Sequence, residues 1–286
     1  MTKGTGATWA DLLSEGRRAL SGPEYPAFEA EELLARAAGR PRPWFHSRRG
    51  ETASTADAAA FRALVARRAA GAPLQYLLGE WEFLGRTFSV DARALIPRGE
   101  TEAIVEIARN AAPAARAILD LGTGSGVLAV TLALERPSAR VTAVDRSPAA
   151  LFLAAANARR HGVRRLVRLL ASDWLTALGP GARFDLAVAN PPYVPIEDAP
   201  HLSKTVSDHE PPLALYGGED GLDPLRTLLA TLPPFLAPGA PFVFELGYGQ
   251  ANEVSALVEA SGAFRLEGVR LDAAGIPRTA TAVRSR

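Results

Sequence analysis

Asn190, Pro191, Pro192 and Tyr193 are residue types suited to gripping a planar –NH2 group. The Asn side-chain oxygen and the carbonyl of Pro191 both accept hydrogen bonds, and one –NH2 group offers two hydrogens. The two prolines stiffen the backbone that carries those acceptors. The Tyr ring can stack on the planar group they hold. The four residues follow Phe184-Asp185-Leu186-Ala187-Val188-Ala189, an apolar run that reads as a buried strand. Open α/β sheets bind ligands at the carboxyl ends of their strands. Taken alone, the run also suits an ordinary strand end followed by a Pro-rich turn.

A second group lies upstream. Ala117-Ile118-Leu119-Asp120-Leu121 is an apolar run that ends in Gly122-Thr123-Gly124-Ser125-Gly126, and Val127-Leu128-Ala129-Val130 then opens a helical pattern. Strand, glycine turn and helix form the context of a nucleotide-type site. The glycines allow a tight turn and a close backbone approach to a ligand. Their spacing, G-x-G-x-G, differs from the dinucleotide pattern G-x-G-x-x-G and argues against NAD. The following run, Arg140 to Val144, ends in Asp145, an acceptor placed to take hydrogen bonds from two ribose hydroxyls.

These stretches together resemble the S-adenosylmethionine methyltransferases that modify planar nitrogens. Within that group they resemble the protein-(glutamine-N5) methyltransferases that act on peptide chain release factors. Further stretches carry the likeness: Pro73 to Gly79 with Glu80 to Gly85, Ile96-Pro97-Arg98-Gly99-Glu100-Thr101-Glu102, Ser172-Asp173-Trp174, Glu210 to Leu215, Gly218 to Gly221, Glu245-Leu246-Gly247 with Gln250, and Gly275-Ile276-Pro277-Arg278. Gly99 departs from the pattern, where the family usually has proline.

The resemblance implies a seven-stranded, Rossmann-like α/β domain that uses S-adenosylmethionine, preceded by a small helical domain. It implies methylation of the side-chain amide nitrogen of the glutamine in the release factors' Gly-Gly-Gln loop. The implied cofactor residues are Gly122, Thr123, Gly124, Ser125, Gly126, Asp145, Trp174 and Asn190. Asn190, Pro191 and Tyr193 would carry the catalysis, and Asn190, Pro191, Pro192 and Tyr193 would hold the substrate. Release factors are the expected partner, without metal, membrane or direct nucleic-acid contact. A ribosomal-protein glutamine is an alternative target. Nucleic-acid adenine-N6 methylation, which shares the Asn-Pro-Pro-Tyr signature, is another; a cofactor-binding adaptor without chemistry fits poorly with an intact motif.

Composition bounds these readings. The chain has 286 residues, enough for two domains, and is 48% hydrophobic. Its net charge of +1 supplies no basic target-recognition region for DNA. It has no cysteine, which removes disulfides and thiolate chemistry. His46, His161, His201 and His209 are scattered rather than set at metal-ligand spacing. No apolar run reaches the roughly 20 residues of a membrane span, and the first residues lack a signal-peptide core. The expectation is a cytoplasmic protein.

Three elements of organisation must position the candidate residues. Residues 1–79 read as helical, with Thr8 capping a first helix, Pro26 starting a second, and Thr55 capping a third that runs to Gly71. Phe61, Leu64 and Val65 point inward on the third. Arginines such as Arg17, Arg18, Arg48, Arg49, Arg67 and Arg68 form solvated faces, some available to an acidic partner. Residues 80–95 read as a linking hairpin with Gly85-Arg86 at its turn. Residues 96–286 alternate strand and helix, which means a parallel sheet covered on both faces. Strands are expected at 117–121, 140–145, 166–170, 184–189, 241–246, 264–269 and 279–283. Residues 194–223 read as one long, polar, Pro-rich loop.

Overall fold

The structure is a computed structural model that describes residues 6–20 and 24–285. Two compact units divide the chain: residues 1–80 with 203–209, and residues 81–202 with 210–286.

The first unit is helical. Helix α1 (Trp9–Ala19) begins at Thr8, whose hydroxyl accepts from the Asp11 amide while the Asp11 carboxylate takes the Thr8 amide. Helix α2 (Pro26–Ala38) starts at a proline and ends at left-handed Gly39. A short α3 (Arg42–His46) precedes α4 (Thr55–Ala69), and α5 (Leu74–Leu78) closes at Gly79. Ser54, not Thr55, caps α4, its hydroxyl accepting from the Asp57 amide. The side chain one residue earlier reaches the orphan donor of the first turn; Thr55 already has helical backbone. The core gathers Trp9, Leu12, Leu13, Leu33, Leu34, Phe61 and Val65, while Leu64 is only partly buried. A β-carbon at Gly16 would stand 2.6 Å from the Phe61 ring, so close helix approach requires glycine there. Of the expected solvated arginines, Arg17 stays exposed while it pairs with Glu31 at 3.3 Å, whereas Arg68 is drawn inward to Glu29 at 2.7 Å in a largely buried pair.

A hairpin follows, β1 (Glu80–Phe83) and β2 (Arg86–Ser89), all but its first residue in the second unit. Its turn is Leu84-Gly85, with φ of +48° and +69°, rather than Gly85-Arg86. Of the two-residue loops whose twist matches their strands, the I′ turn has positive φ at both positions. Leu84 adopts it, and the Glu102 carboxylate accepts its amide at 2.7 Å. Helix α6 (Glu102–Ala111) then leads into the sheet: β3 (Ala117–Leu121), α7 (Val127–Glu135), β4 (Arg140–Asp145), α8 (Pro148–Arg160), β5 (Val167–Ala171) and β6 (Leu186–Ala189). An added β-carbon at Gly99 meets nothing within 4 Å, so space does not explain the missing proline.

The sheet has seven strands in the order β5-β4-β3-β6-β7-β9-β8, where β7 is Pro241–Glu245, β8 Phe264–Leu271 and β9 Pro277–Arg284. The first five are parallel; β9 runs antiparallel between β7 and β8. β6 starts two residues later than the apolar run suggests. The Asp185 amide still donates to the Ala117 carbonyl at 2.8 Å and its carboxylate accepts the Arg116 and Ala117 amides at 2.9 Å each, while Phe184 forms an isolated bridge with Leu236.

The expected long loop is broken into short helices. After a 3-10 turn at Ile196–His201 come α9 (Lys204–Ser207) and α10 (Pro212–Leu215). The segment containing α9 belongs to the helical unit. Helices α11 (Asp223–Thr231) and α12 (Ala251–Ala260) cover the sheet. Among the described residues no helix is long and apolar enough to cross a membrane.

Phe242 and Phe244 alternate with Val243 along β7, so both rings lie on one face of the strand and stack at 4.6 Å. Both are fully buried. Phe244→Ala is expected to lower unfolding stability by about 3–5 kcal/mol, the usual cost of a large core cavity. Urea unfolding followed by tryptophan fluorescence measures it; a loss under about 1 kcal/mol would mean that the face collapses around the gap.

Candidate active site

Strand order places the site. β3 has β4 on one side and β6 on the other, so the direction of winding reverses at β3, and a crevice opens at the carboxyl ends there. Leu121 of β3 is in register with Ala189 of β6 and with Val144 of β4. The three turns that follow, at Gly122, Asn190 and Asp145, are therefore neighbours. They border a cavity of about 250 Å³.

Gly122, Thr123, Gly124, Ser125, Asp145, Trp174, Asn190 and Pro192 line that cavity. Gly126, Pro191 and Tyr193 are not on its wall. Gly126 faces α8: an added β-carbon would stand 2.9 Å from the β-carbon of Ala154. Its left-handed φ of +83° begins α7 without a side-chain cap. Trp174 also has positive φ, +50°, and its ring closes over the loop, 3.6 Å from where a Gly122 β-carbon would be. A bulky residue in a left-handed conformation carries backbone strain, a property that concentrates at ligand sites.

The glycine loop is held by carboxylates. Asp145 accepts the Gly124 amide on one oxygen and the Ser147 amide on the other, both at 2.8 Å. Burial raises the Asp145 pKa, and these two amides act against that rise. Asn157, fully buried on α8, donates to the carbonyls of Ser125 and Ser89 and accepts the Ser89 amide. One amide side chain thus fastens the glycine loop to the hairpin.

Asp120 is the less expected acid. It lies mid-strand with no exposure. One oxygen takes the Thr123 hydroxyl at 2.6 Å and the Ala129 amide at 3.1 Å, while Oδ1 has no hydrogen-bond partner. A bare buried anion is expensive, and burial pushes the Asp120 pKa up to about 7. An acid inside an otherwise apolar strand was the sequence signal for it.

On the β6 side, Asn190 Nδ2 donates to the Thr101 hydroxyl at 3.0 Å. That hydroxyl donates to Glu245 Oε2 at 2.7 Å, and the Tyr193 hydroxyl donates to Glu245 Oε1 at 3.0 Å. Glu245 is 2% exposed, and burial raises its pKa. Burial and the neighbouring carboxylate also raise the Tyr193 pKa, which keeps its hydroxyl protonated. Gln250 clips the same loop, its Nε2 donating to the carbonyls of Tyr193 and Asp220 while its oxygen accepts the Gly247 amide. A further wall is pinned by Glu210, 3% exposed, which accepts the Ile96 amide and the Arg98 guanidinium at 3.0 and 2.5 Å. Among the described residues no cluster of three or more His, Asp or Glu is arranged to hold a metal ion.

The arrangement can seat a nucleotide-like ligand along the glycine loop. Beside it, a cleft is lined by one amide side chain. Residues 100–204 match the family model described as Methyltransferase small domain, and residues 11–79 match that of the PrmC N-terminal domain. A release factor glutamine methyltransferase of Geobacter sulfurreducens is 44% identical over 249 residues, 87% of each chain. One of Burkholderia pseudomallei is 43% identical over 283 residues, covering 97% of this chain and 96% of that one. Among solved structures, a methyltransferase from Pyrococcus furiosus shares the fold with a TM-score of 0.53 at 16% identity, covering 71% of this chain and 91% of that one.

The raised pKa of Asp120 has a stability consequence. With the folded pKa near 7 and the ordinary value at 3.8, the folded state retains a proton that the unfolded chain has lost. Between those values the folded form binds more protons, so stability falls as pH rises. Asp120→Asn removes that dependence. The unfolding free energy of the native protein minus that of the variant, without ligand, is expected to decline from about pH 4 to about pH 7 and then level. A flat difference would show that Asp120 is ionised in the folded protein throughout.

Proposed function

The chain belongs to the release factor glutamine methyltransferases, and from that membership we propose that it transfers a methyl group from S-adenosylmethionine to the side-chain amide nitrogen of the glutamine in a release factor's Gly-Gly-Gln loop. The observation that carries the site assignment is the pairing of β3 with β6. It sets a glycine loop and an amide-presenting turn side by side.

The residues present fit the cofactor. Gly122 and Gly124, both with left-handed φ, let the loop backbone come close to the ligand's amino acid portion. Asp145 keeps lone pairs beyond those used on Gly124 and Ser147, and these would take ribose hydroxyls. Trp174 would pack against the adenine. When bound, the cofactor supplies an electrophilic methyl group on a sulfonium centre.

This chain's own residues deal with the nucleophile. An amide nitrogen is a poor one, because its lone pair is delocalised into the carbonyl. Asn190 Oδ1 and the Pro191 carbonyl would accept the two amide hydrogens and fix the nitrogen's direction. Pro192 borders the cavity beside them, and Tyr193, set back from the wall, would keep the turn in shape through its bond to Glu245. Holding the reacting groups in line and excluding water accounts for much of the acceleration. Formation of the carbon–nitrogen bond would break the methyl–sulfur bond, leaving a neutral thioether and a protonated N-methyl amide, a strong acid that gives its proton to water. No side chain is required as base.

The helical unit of residues 1–80 is the docking element for the intact release factor, and the enzyme works in the cytoplasm, where release factors act. The curated relatives' names favour release factors over a ribosomal protein or nucleic acid. The assay is transfer of labelled methyl from S-adenosylmethionine to a release factor, its Gln→Ala variant, ribosomal protein and duplex DNA. Label is expected only in the glutamine-bearing release factor; equal labelling of the Gln→Ala variant would remove the assignment. Asn190→Ala is expected to slow turnover by on the order of 10²–10³, as for loss of one oriented hydrogen bond at a reacting group, with a smaller effect on cofactor affinity.

A further inference from the structure

The geometry points to Thr101 and Glu245 as positioning residues that decide which end of the Asn190 side chain faces the substrate. This rests on the amide-methylating reading above and extends it to two residues that take no part in the transfer.

The oxygen and nitrogen ends of an Asn side chain are nearly the same size. Packing alone therefore does not choose between them; hydrogen bonding does. Hydrogens can be counted along the buried chain. Burial works against the charge on Glu245, but the two hydroxyl bonds and the charge of Arg278 favour its carboxylate form, which only accepts. Glu245 takes the single hydroxyl hydrogen of Thr101 on one oxygen and that of Tyr193 on the other. The Thr101 oxygen then has only lone pairs left, and it presents one to Asn190. Of the two ends of the Asn190 amide, only the –NH2 can meet a lone pair. Oδ1 is thereby turned away from Thr101, and no described residue donates to it.

The chain is sheltered. Thr101 and Glu245 are 3% and 2% exposed, so water does not compete for these groups. Asn190 and Thr101 both reach the cavity wall. The elements involved are rigid: Glu245 ends β7, Asn190 follows β6, and the two strands are paired at Ala189 and Phe244. The same carboxylate fixes the Tyr193 ring. A reversed Asn190 would set its –NH2 against the –NH2 of the incoming amide, donor against donor.

The test uses the full-length enzyme and an intact release factor. Methyl-transfer rates and calorimetric S-adenosylmethionine affinity are measured for Thr101→Val, Thr101→Ser and Glu245→Gln. Valine keeps the shape of threonine and removes the hydroxyl; kcat/KM for the release factor is expected to fall roughly tenfold or more. Serine keeps the hydroxyl and is expected to recover most of that loss. Glutamine can donate to Thr101, freeing the hydroxyl hydrogen for Asn190 and favouring the reversed amide. Its loss is expected to be the largest, on the order of 10². Cofactor affinity should stay within about threefold in all three. Native-like rates in Thr101→Val and Glu245→Gln overturn the positioning role. So do rates that fall only in step with cofactor affinity, or a serine variant no better than valine. A native enzyme that labels DNA or ribosomal protein instead of the release factor overturns the function reading itself.

Discussion

The parallel pairing of β3 with β6 is the constraint on which the site depends. The two strands are far apart in sequence, yet Leu121 and Ala189 lie in register. A slip of one residue would reverse every side chain of a strand buried on both faces. Sliding β6 would also carry Asn190 away from the glycine loop. The register is held by apolar contact along the strands: Leu119 and Leu121, and Leu186 to Ala189, are entirely buried. Asp185 fixes the entry, its carboxylate bonded to the Arg116 and Ala117 amides that precede β3. Hydrophobic burial supplies the stability, and one exposed carboxylate sets the starting point.

Within this apolar sheet the buried polar groups fall mainly at strand ends, and most are paired. Asn157 makes three hydrogen bonds. Gln250 uses both ends of its amide, and Glu245 uses both oxygens. A net hydrogen bond is worth only about 0.5–1.5 kcal/mol, whereas an unsatisfied buried group costs about 1–3 kcal/mol. Such groups therefore add little to stability but heavily penalise any arrangement that leaves them unpaired. They select one geometry among several of similar packing energy. Asp120 Oδ1 and Thr279 Oγ1 on the sheet are without a partner, and the Asp120 carboxyl group holds its proton to higher pH.

Much of this was legible from local sequence. Apolar runs marked every strand of the seven-stranded sheet to within a few residues, and the central strands β3, β6 and β7, buried on both faces, have no alternating pattern to misread. The strand-glycine-helix sequence at 117–130 and the Asn-Pro-Pro-Tyr turn were visible as sites because their chemistry is contiguous. What escaped was set by side chains reaching across small or large gaps. The cap of α4 is Ser54 because a hydroxyl one residue back has the better reach. The hairpin turn is Leu84-Gly85 because Glu102 holds the Leu84 amide. Glu245 and Thr101 are separated by 144 residues. Only the fold brings them together, although an acid ending the apolar run Pro241 to Phe244 was a signal that could have been taken up.

Both halves of the cavity wall are held in shape by the protein's own contacts. Asp145 fixes the glycine loop through two backbone amides, and Asn157 ties Ser125 to the hairpin end. On the other side Glu245 and Gln250 hold the turn carrying Tyr193, and Glu210 braces Ile96 and Arg98. Ordering a flexible loop on binding costs about 0.5–1.5 kcal/mol for each immobilised side chain. Wall segments already bonded in the binding geometry avoid most of that cost. They also leave little freedom to adjust, so selectivity between a planar amide and another group rests on where the fixed acceptors point. Orientation of a single side-chain amide can then matter more to the chemistry than any change in the volume of the cavity.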